Sequence, residues 1–148
     1  LMLTPKGPKV IEYNCRFGDP ETQVVLPRLQ TDLLDIVDAI REERLAELDI
    51  RWKEEACACV VMASGGYPAA YRKGLPIAGL DQDGQLQEAY AVYHAGTAWK
   101  DGRFYTNGGR VLGVTAVADT VAAALDKAYE AVQHIEFENA HYRKDIGK

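Results

Sequence analysis

Val10-Ile11-Glu12-Tyr13-Asn14-Cys15-Arg16-Phe17-Gly18-Asp19-Pro20-Glu21-Thr22-Gln23 is the stretch whose reading decides the fold. Taken as a strand, its first half puts Glu12, Asn14 and Arg16 on one face and Ile11, Tyr13 and Cys15 on the other. The first face carries chemistry and the second packing. Within about 13 Å of extended chain, the first face offers a carboxylate, an amide carbonyl and a permanent cation. A hard divalent cation such as Mg²⁺ or Mn²⁺ takes oxygen ligands of the first two kinds and commonly shares them with phosphates. A guanidinium can then grip a phosphoryl or carboxylate oxygen beside the metal. Past the strand, Gly18 permits a backbone geometry closed to other residues, Asp19 reads as an N-cap and Pro20 as a first helical residue. The spacing therefore predicts a helix N-terminus, an anion site, next to Arg16. Three polar residues on one strand face are more often a solvated sheet surface, so residue types alone leave both readings open.

The chain around this stretch has 148 residues, enough for one domain with a real core or for one domain plus part of another. With 47% apolar and 26% charged residues it has the balance of a folded globular protein. A net charge of -5 argues against non-specific nucleic-acid binding, which shows as a basic excess. Three cysteines, Cys15, Cys57 and Cys59, without a secretory signal argue against a disulfide framework and make the cytoplasm the default. No apolar run approaches a membrane span. The chain starts at Leu1, without an initiator Met, and meets its chemical stretch almost at once, which reads as a fragment of a longer protein.

Residues 1–3 are apolar, residues 4–8 form a turn by composition, and residues 9–14 complete a hairpin. Residues 22–29 read as a short helix disturbed by Pro27. A better helix starts at Thr31, with Asp32 in its first turn and Leu33, Val37 and Ile40 on one face. Residues 45–55 lose all period and are placed as a linker or domain boundary. Residues 56–63 are apolar on both alternating faces, as in a strand covered on both sides. Residues 88–94 and 110–117 read as strands. Lys100-Asp101-Gly102-Arg103, between residues 95–99 and 104–106, is a hairpin signal. Asp119 or Thr120 caps a helix carrying Val121, Leu125, Ala128, Val132 and Ile135, and residues 135–137 add a last strand.

Outside the opening stretch the chemistry is sparse. Cys57 and Cys59 share a strand face, but tetrahedral zinc needs about four ligands and no second pair follows, which favours inert thiols. His94, at a strand end, reads as a hydrogen-bonded structural histidine, with ligand contact as the alternative; His134 and His141 have weaker claims. Asn107-Gly108-Gly109-Arg110 could cradle an anion with backbone amides and a guanidinium, or be a hairpin turn with a surface arginine. There is no Walker-type phosphate loop, no dinucleotide fingerprint and no nucleophile with a base beside it.

Glu12-x-Asn14-x-Arg16 resembles the metal-binding strand of the ATP-grasp ligases, and Arg16-Phe17-Gly18-Asp19-Pro20-Glu21 is similar to the run found in one of them, the glycinamide ribonucleotide synthetase family. Ala63-Ser64-Gly65-Gly66-Tyr67-Pro68, His94-Ala95-Gly96-Thr97, Gly108-Gly109-Arg110-Val111-Leu112 with Val114-Thr115, and Tyr142-Arg143-Lys144-Asp145-Ile146-Gly147 look like later parts of the same family, in order. The resemblance implies an α+β chain: residues 1–48 as the C-terminal end of an ATP-grasp domain, residues 49–148 as a small mixed α/β domain with a partly barrel-like antiparallel sheet. It implies an ATP-dependent ligase that joins glycine to 5-phosphoribosylamine through a glycyl phosphate, in purine synthesis, and uses Mg²⁺ or Mn²⁺. Carried over, Glu12 and Asn14 are metal ligands bridging ATP phosphates, and Arg16 is catalytic and substrate-binding. Asp19 orients the loop or the amine substrate, and Glu21 is a weaker candidate for that role. The nucleotide-covering lobe would precede Leu1, so the implied partners are the small substrates and the missing N-terminal part, with no nucleic acid or membrane, and the fragment alone would be inactive. A purine carboxylase of the same superfamily and a non-catalytic assembly module are the alternatives.

Overall fold

The computed structural model describes residues 1–86 and 90–147. Its centre is a three-stranded antiparallel sheet in the order β3-β7-β4, formed by β3 (Ala56–Ala63), β4 (Tyr90–His94) and β7 (Arg110–Ala118). The central strand, Arg110-Val111-Leu112-Gly113-Val114-Thr115-Ala116-Val117-Ala118, is buried along nearly its whole length. Its near-continuous apolar run is what a strand covered on both faces requires. The register pairs Val60 with Val114 and Val92 with Val114, so one face carries Val60, Met62, Leu112, Val114 and Val92.

Onto that face packs α3 (Val121–Val132) through Ala124, Ala128, Ala131 and Val132, all essentially inaccessible. Three alanines let helix and sheet approach closely, and Ile135 and Phe137 just beyond the helix close the core. Thr120 rather than Asp119 is the cap, its hydroxyl accepting from Ala123 N at 3.2 Å. The opposite face, with Cys57, Cys59, Val61, Gly113 and Tyr93, is crossed by α1 (Thr22–Val25). After one turn α1 tightens into a 3-10 segment, Leu26–Arg28, at Pro27, as the sequence predicts.

A second hairpin, β5 (Thr97–Lys100) with β6 (Arg103–Thr106), turns at Asp101-Gly102, both with positive φ. A third, β1 (Met2–Thr4) with β2 (Gly7–Lys9), stands at the start of the chain. With α2 (Leu33–Arg41), capped by Asp32 through Leu34 N at 2.8 Å, the fold is mixed α/β with antiparallel sheets. No closed barrel forms among the described residues.

Several expectations need correction. The expected strand over residues 9–14 does not form: β2 ends at Lys9, and residues 10–16 have no ladder partner among the described residues. Residues 45–55, expected as a linker or domain boundary, are tied to the segment before α2: Gln30 N donates to Arg51 O at 3.0 Å and Lys53 N to Arg28 O at 2.8 Å. The last strand over residues 135–137 reduces to one bridge between Ala78 and Glu136. Of the strand expected over residues 88–94, residues 88 and 89 lie outside the described residues.

Candidate functional site

Glu12, Asn14 and Arg16 lie on an irregular segment that leaves all three exposed. Asn14 Oδ1 accepts from Arg16 N at 3.3 Å, and Arg16 Nη1 donates to the Phe17 carbonyl at 3.1 Å. The expected packing face is not packed: Ile11 and Tyr13 are 64% and 82% exposed, and Cys15 is exposed beside them. A residue alternation shows which face would be buried, but burial itself needs a neighbouring strand. Glu12 and Asn14 present a carboxylate and an amide oxygen, the hard donors that Mg²⁺ or Mn²⁺ takes. No group of three or more His, Cys, Asp or Glu side chains placed to hold a metal occurs among the described residues. A cation here would complete its shell with other oxygens.

Asp19 is not the helix cap that the sequence predicts. The N-cap of α1 is Glu21, and α1 is a single turn, too short to form the expected anion site. The Asp19 carboxylate is instead held on both oxygens: Oδ2 lies 3.2 Å from Arg110 Nη2, and Oδ1 accepts from Gln23 Nε2 at 2.8 Å. Arg110 Nη1 also donates to the Asp19 carbonyl at 3.0 Å. The Thr22 hydroxyl and Thr22 N both donate to the Gly18 carbonyl, closing the turn. Glu21 folds back over Gly18, where any side chain would collide with its carboxylate.

The later glycine-rich segments meet at the base of Arg110. Ser64 is buried, its Oγ donating to Gly108 O and its N to Gly109 O, both at 2.8 Å. Gly96 N donates to Arg110 O at 2.9 Å, and Asn107 N to Gly96 O at 2.7 Å. A Cβ at Gly109 would stand 2.1 Å from the Tyr67 ring, so that ring lies flush against the turn. Arg110 stands at the surface, but its guanidinium is engaged by Asp19. Sequence reasoning missed the Arg110–Asp19 pairing and Gln23; the signal was there in Gln23 ending the same run as Asp19, and in several unassigned glycine motifs.

The remaining candidates are structural. His94 Nε2 is 2.8 Å from the Gly84 carbonyl, which can only accept, so that nitrogen carries the proton; Nδ1 lies 2.9 Å from Thr97 Oγ1. Phe104 covers the ring at 4.6 Å between centroids. Cys57 and Cys59 share the α1 face of the sheet, and burial pushes both thiols above their ordinary range. Burial does the same to the Tyr93 phenol on that face. No helix among the described residues is long and apolar enough to cross a membrane.

Two family models match the chain: the C domain of phosphoribosylglycinamide synthetase over residues 57–148, and the ATP-grasp (A) domain of the same enzyme over residues 1–22. A phosphoribosylamine–glycine ligase of Caldanaerobacter subterraneus is 50% identical over 146 residues, covering 99% of this chain and 34% of that protein. The trifunctional purine biosynthetic protein adenosine-3 of Gallus gallus is 51% identical over 148 residues, 99% of this chain and 15% of that protein. The crystal structure of a Thermotoga maritima phosphoribosylamine–glycine ligase superposes with a TM-score of 0.74 at 36% identity, covering 97% of this chain and 34% of that one. The chain therefore spans about a third of the single-function relatives it matches. On these matches, and on a run from Glu12 to Gln23 tied to the 107–110 turn, the chain belongs to the phosphoribosylglycinamide synthetase family.

Proposed function

We propose that the chain is the C-terminal part of an ATP-dependent ligase that joins glycine to 5-phosphoribosylamine, giving glycinamide ribonucleotide, ADP and phosphate in purine synthesis. The observation that carries this reading is half-identity along the whole chain to ligases of that name, together with an intact Glu12-x-Asn14-x-Arg16 followed by Phe17-Gly18-Asp19-Pro20-Glu21. Residues 1–48 would end an ATP-grasp domain and residues 49–148 form the C-terminal domain, its strands and hairpins curving toward a partial barrel. The setting is the cytoplasm.

The reaction activates the glycine carboxylate as a glycyl phosphate, which the ribosylamine nitrogen attacks with loss of phosphate. The chain's task is to hold charged reactants in line and offset phosphoryl charge. Glu12 and Asn14 would hold Mg²⁺ or Mn²⁺, which when bound supplies charge neutralisation for ATP phosphates. Arg16, exposed and forked, would bind the transferring phosphoryl or the glycine carboxylate. Of the two roles open to Asp19, its doubly held carboxylate supports orienting the loop over touching the amine directly. Glu21, beside it, has a less constrained carboxylate for the amine.

The test is ATP-dependent ligation by the full-length protein, with glycine or bicarbonate offered beside the matching ribonucleotide acceptor and ADP release followed. Glycine dependence is expected, and Glu12→Gln with Asn14→Ala should abolish the metal-dependent rate. Bicarbonate dependence would move the chain to the purine carboxylases; an unchanged metal requirement in the double variant would remove the metal assignment.

A further inference from the structure

We propose that Arg110 is a positioning residue: from the first position of β7 it clamps the Gly18-Asp19-Pro20 turn, and so fixes where Arg16 and Glu21 meet the substrates. What the turn meets rests on the ligase reading above; the clamp itself does not.

The geometry is two-pronged. One guanidinium nitrogen is 3.2 Å from the Asp19 carboxylate and the other 3.0 Å from the Asp19 carbonyl, across 91 residues of sequence. A planar fork satisfies two acceptors at once and fixes orientation as well as distance, which a lysine cannot do. Gln23 takes the second carboxylate oxygen, and its side chain lies beside Gly113. Gln23 Oε1 is buried without a hydrogen-bond partner among the described residues. Rotating the amide would turn that oxygen against the carboxylate, so the orphan is the cost of holding Asp19.

The base of the clamp is stiff. Ser64, Gly96 and Tyr67 hold the 107–110 turn through backbone carbonyls and a close ring contact, so Arg110 leaves a fixed point. The three glycine-rich motifs therefore converge on one outcome, the aim of one side chain. Arg110 and Asp19 nevertheless remain 42% and 46% exposed at their side chains. An ion pair this open to water adds little to stability, so what it contributes is geometry. That separates a positioning role from a merely structural one.

The test uses the full-length protein with Arg110→Ala, Arg110→Lys, Asp19→Ala and the Asp19→Ala/Arg110→Ala double variant. For Arg110→Ala, kcat/KM for ligation should fall by about ten- to a hundredfold, the scale of a misplaced reacting group. Its unfolding midpoint should move by less than about 3 °C. Amide exchange over residues 16–22 in the ligand-free protein should speed up by about tenfold. Arg110→Lys should recover part of the loss, and the double variant should be no worse than the worse single one. Independent, multiplying losses would overturn the clamp. So would a collapse of the unfolding midpoint in Arg110→Ala, which would make Arg110 a structural residue. If the unsubstituted protein shows no ligation, the ligase reading falls and exchange alone decides: lost protection over residues 16–22 supports the clamp and retained protection overturns it.

Discussion

Replacing Gly96 by alanine adds one methyl group at the place where the glycine motifs meet, and its cost can be worked from the surrounding atoms. The new Cβ would stand 2.6 Å from Arg110 O, 2.6 Å from Gly108 Cα and 2.8 Å from Gly108 N. Ordinary contacts between such atoms are about 3.5 Å, so β7 and the 107–109 turn must part by nearly 1 Å. All three neighbours are backbone, and no rotamer change relieves them. The Gly96 N–Arg110 O and Asn107 N–Gly96 O bonds, at 2.9 and 2.7 Å, are the first to stretch. Overpacking of about 1–3 kcal/mol and two weakened hydrogen bonds of about 1 kcal/mol each give a loss of roughly 3–5 kcal/mol. A matched control is Gly102→Ala in the β5–β6 turn, where the Cβ meets nothing within 4 Å and only the positive φ resists it. That change should cost about 1 kcal/mol. Urea unfolding of both variants, with unchanged slope, measures the difference. Equal losses, or a Gly96→Ala loss below about 0.5 kcal/mol, would refute the claim that close backbone approach at Gly96 organises this corner.

Val114→Ala empties a fully buried site at the middle of the sheet and should cost about 2–4 kcal/mol in the same unfolding assay. Thr120→Ala removes the α3 cap and should cost about 1 kcal/mol, with Thr120→Ser restoring it. Exposed Cys15 should react with iodoacetamide at pH 8 well before Cys57 and Cys59, whose partly buried thiols hold their protons more tightly; mass spectrometry of timed samples distinguishes them. Because both folded thiols titrate above their unfolded values, their contribution to stability is complete below the unfolded thiol pKa of about 8.5. It is lost as pH rises through the higher folded values, so the unfolding midpoint should fall on the alkaline side, and less so in a Cys57→Ala/Cys59→Ala variant.

The C-terminal two thirds were the more legible part, because there each sequence signal is answered inside the chain. The double-faced apolar run of β3 finds β7 beside it, α3 on one side and α1 on the other. Asp101-Gly102 sits at the two positive-φ positions its turn demands. Ala128 and Val132 fall on the stripe that α3 buries. The site was less legible for a physical reason: in the sequence Asp19 reads as a helix cap and Arg110 as an anion ligand or a surface arginine, and only the fold brings the guanidinium over the turn. Nothing in residue spacing encodes a meeting across 91 positions.

The first third failed in an informative way. Leu33, Val37 and Ile40 form the predicted helical face, yet they are 37%, 51% and 57% exposed, and the only buried residue of α2 is Ala39. Ile11, Tyr13 and Phe17 repeat this on the irregular segment before α1, and most of the large exposed apolar side chains fall before residue 53. Periodicity of this kind states which side chains require cover, whatever stands against them. On the ligase reading that cover is the rest of the ATP-grasp domain. The same surface then carries Glu12, Asn14 and Arg16 to the substrates. Their position would be fixed from two sides: by the apolar packing of that domain, and by Arg110 gripping the turn three residues past Arg16. A reactive segment held by two bodies depends on both for its geometry. On that reading the packed β3-β7-β4 sheet with α3 and the Arg110–Asp19 clamp would be only part of what sets Arg16 in place.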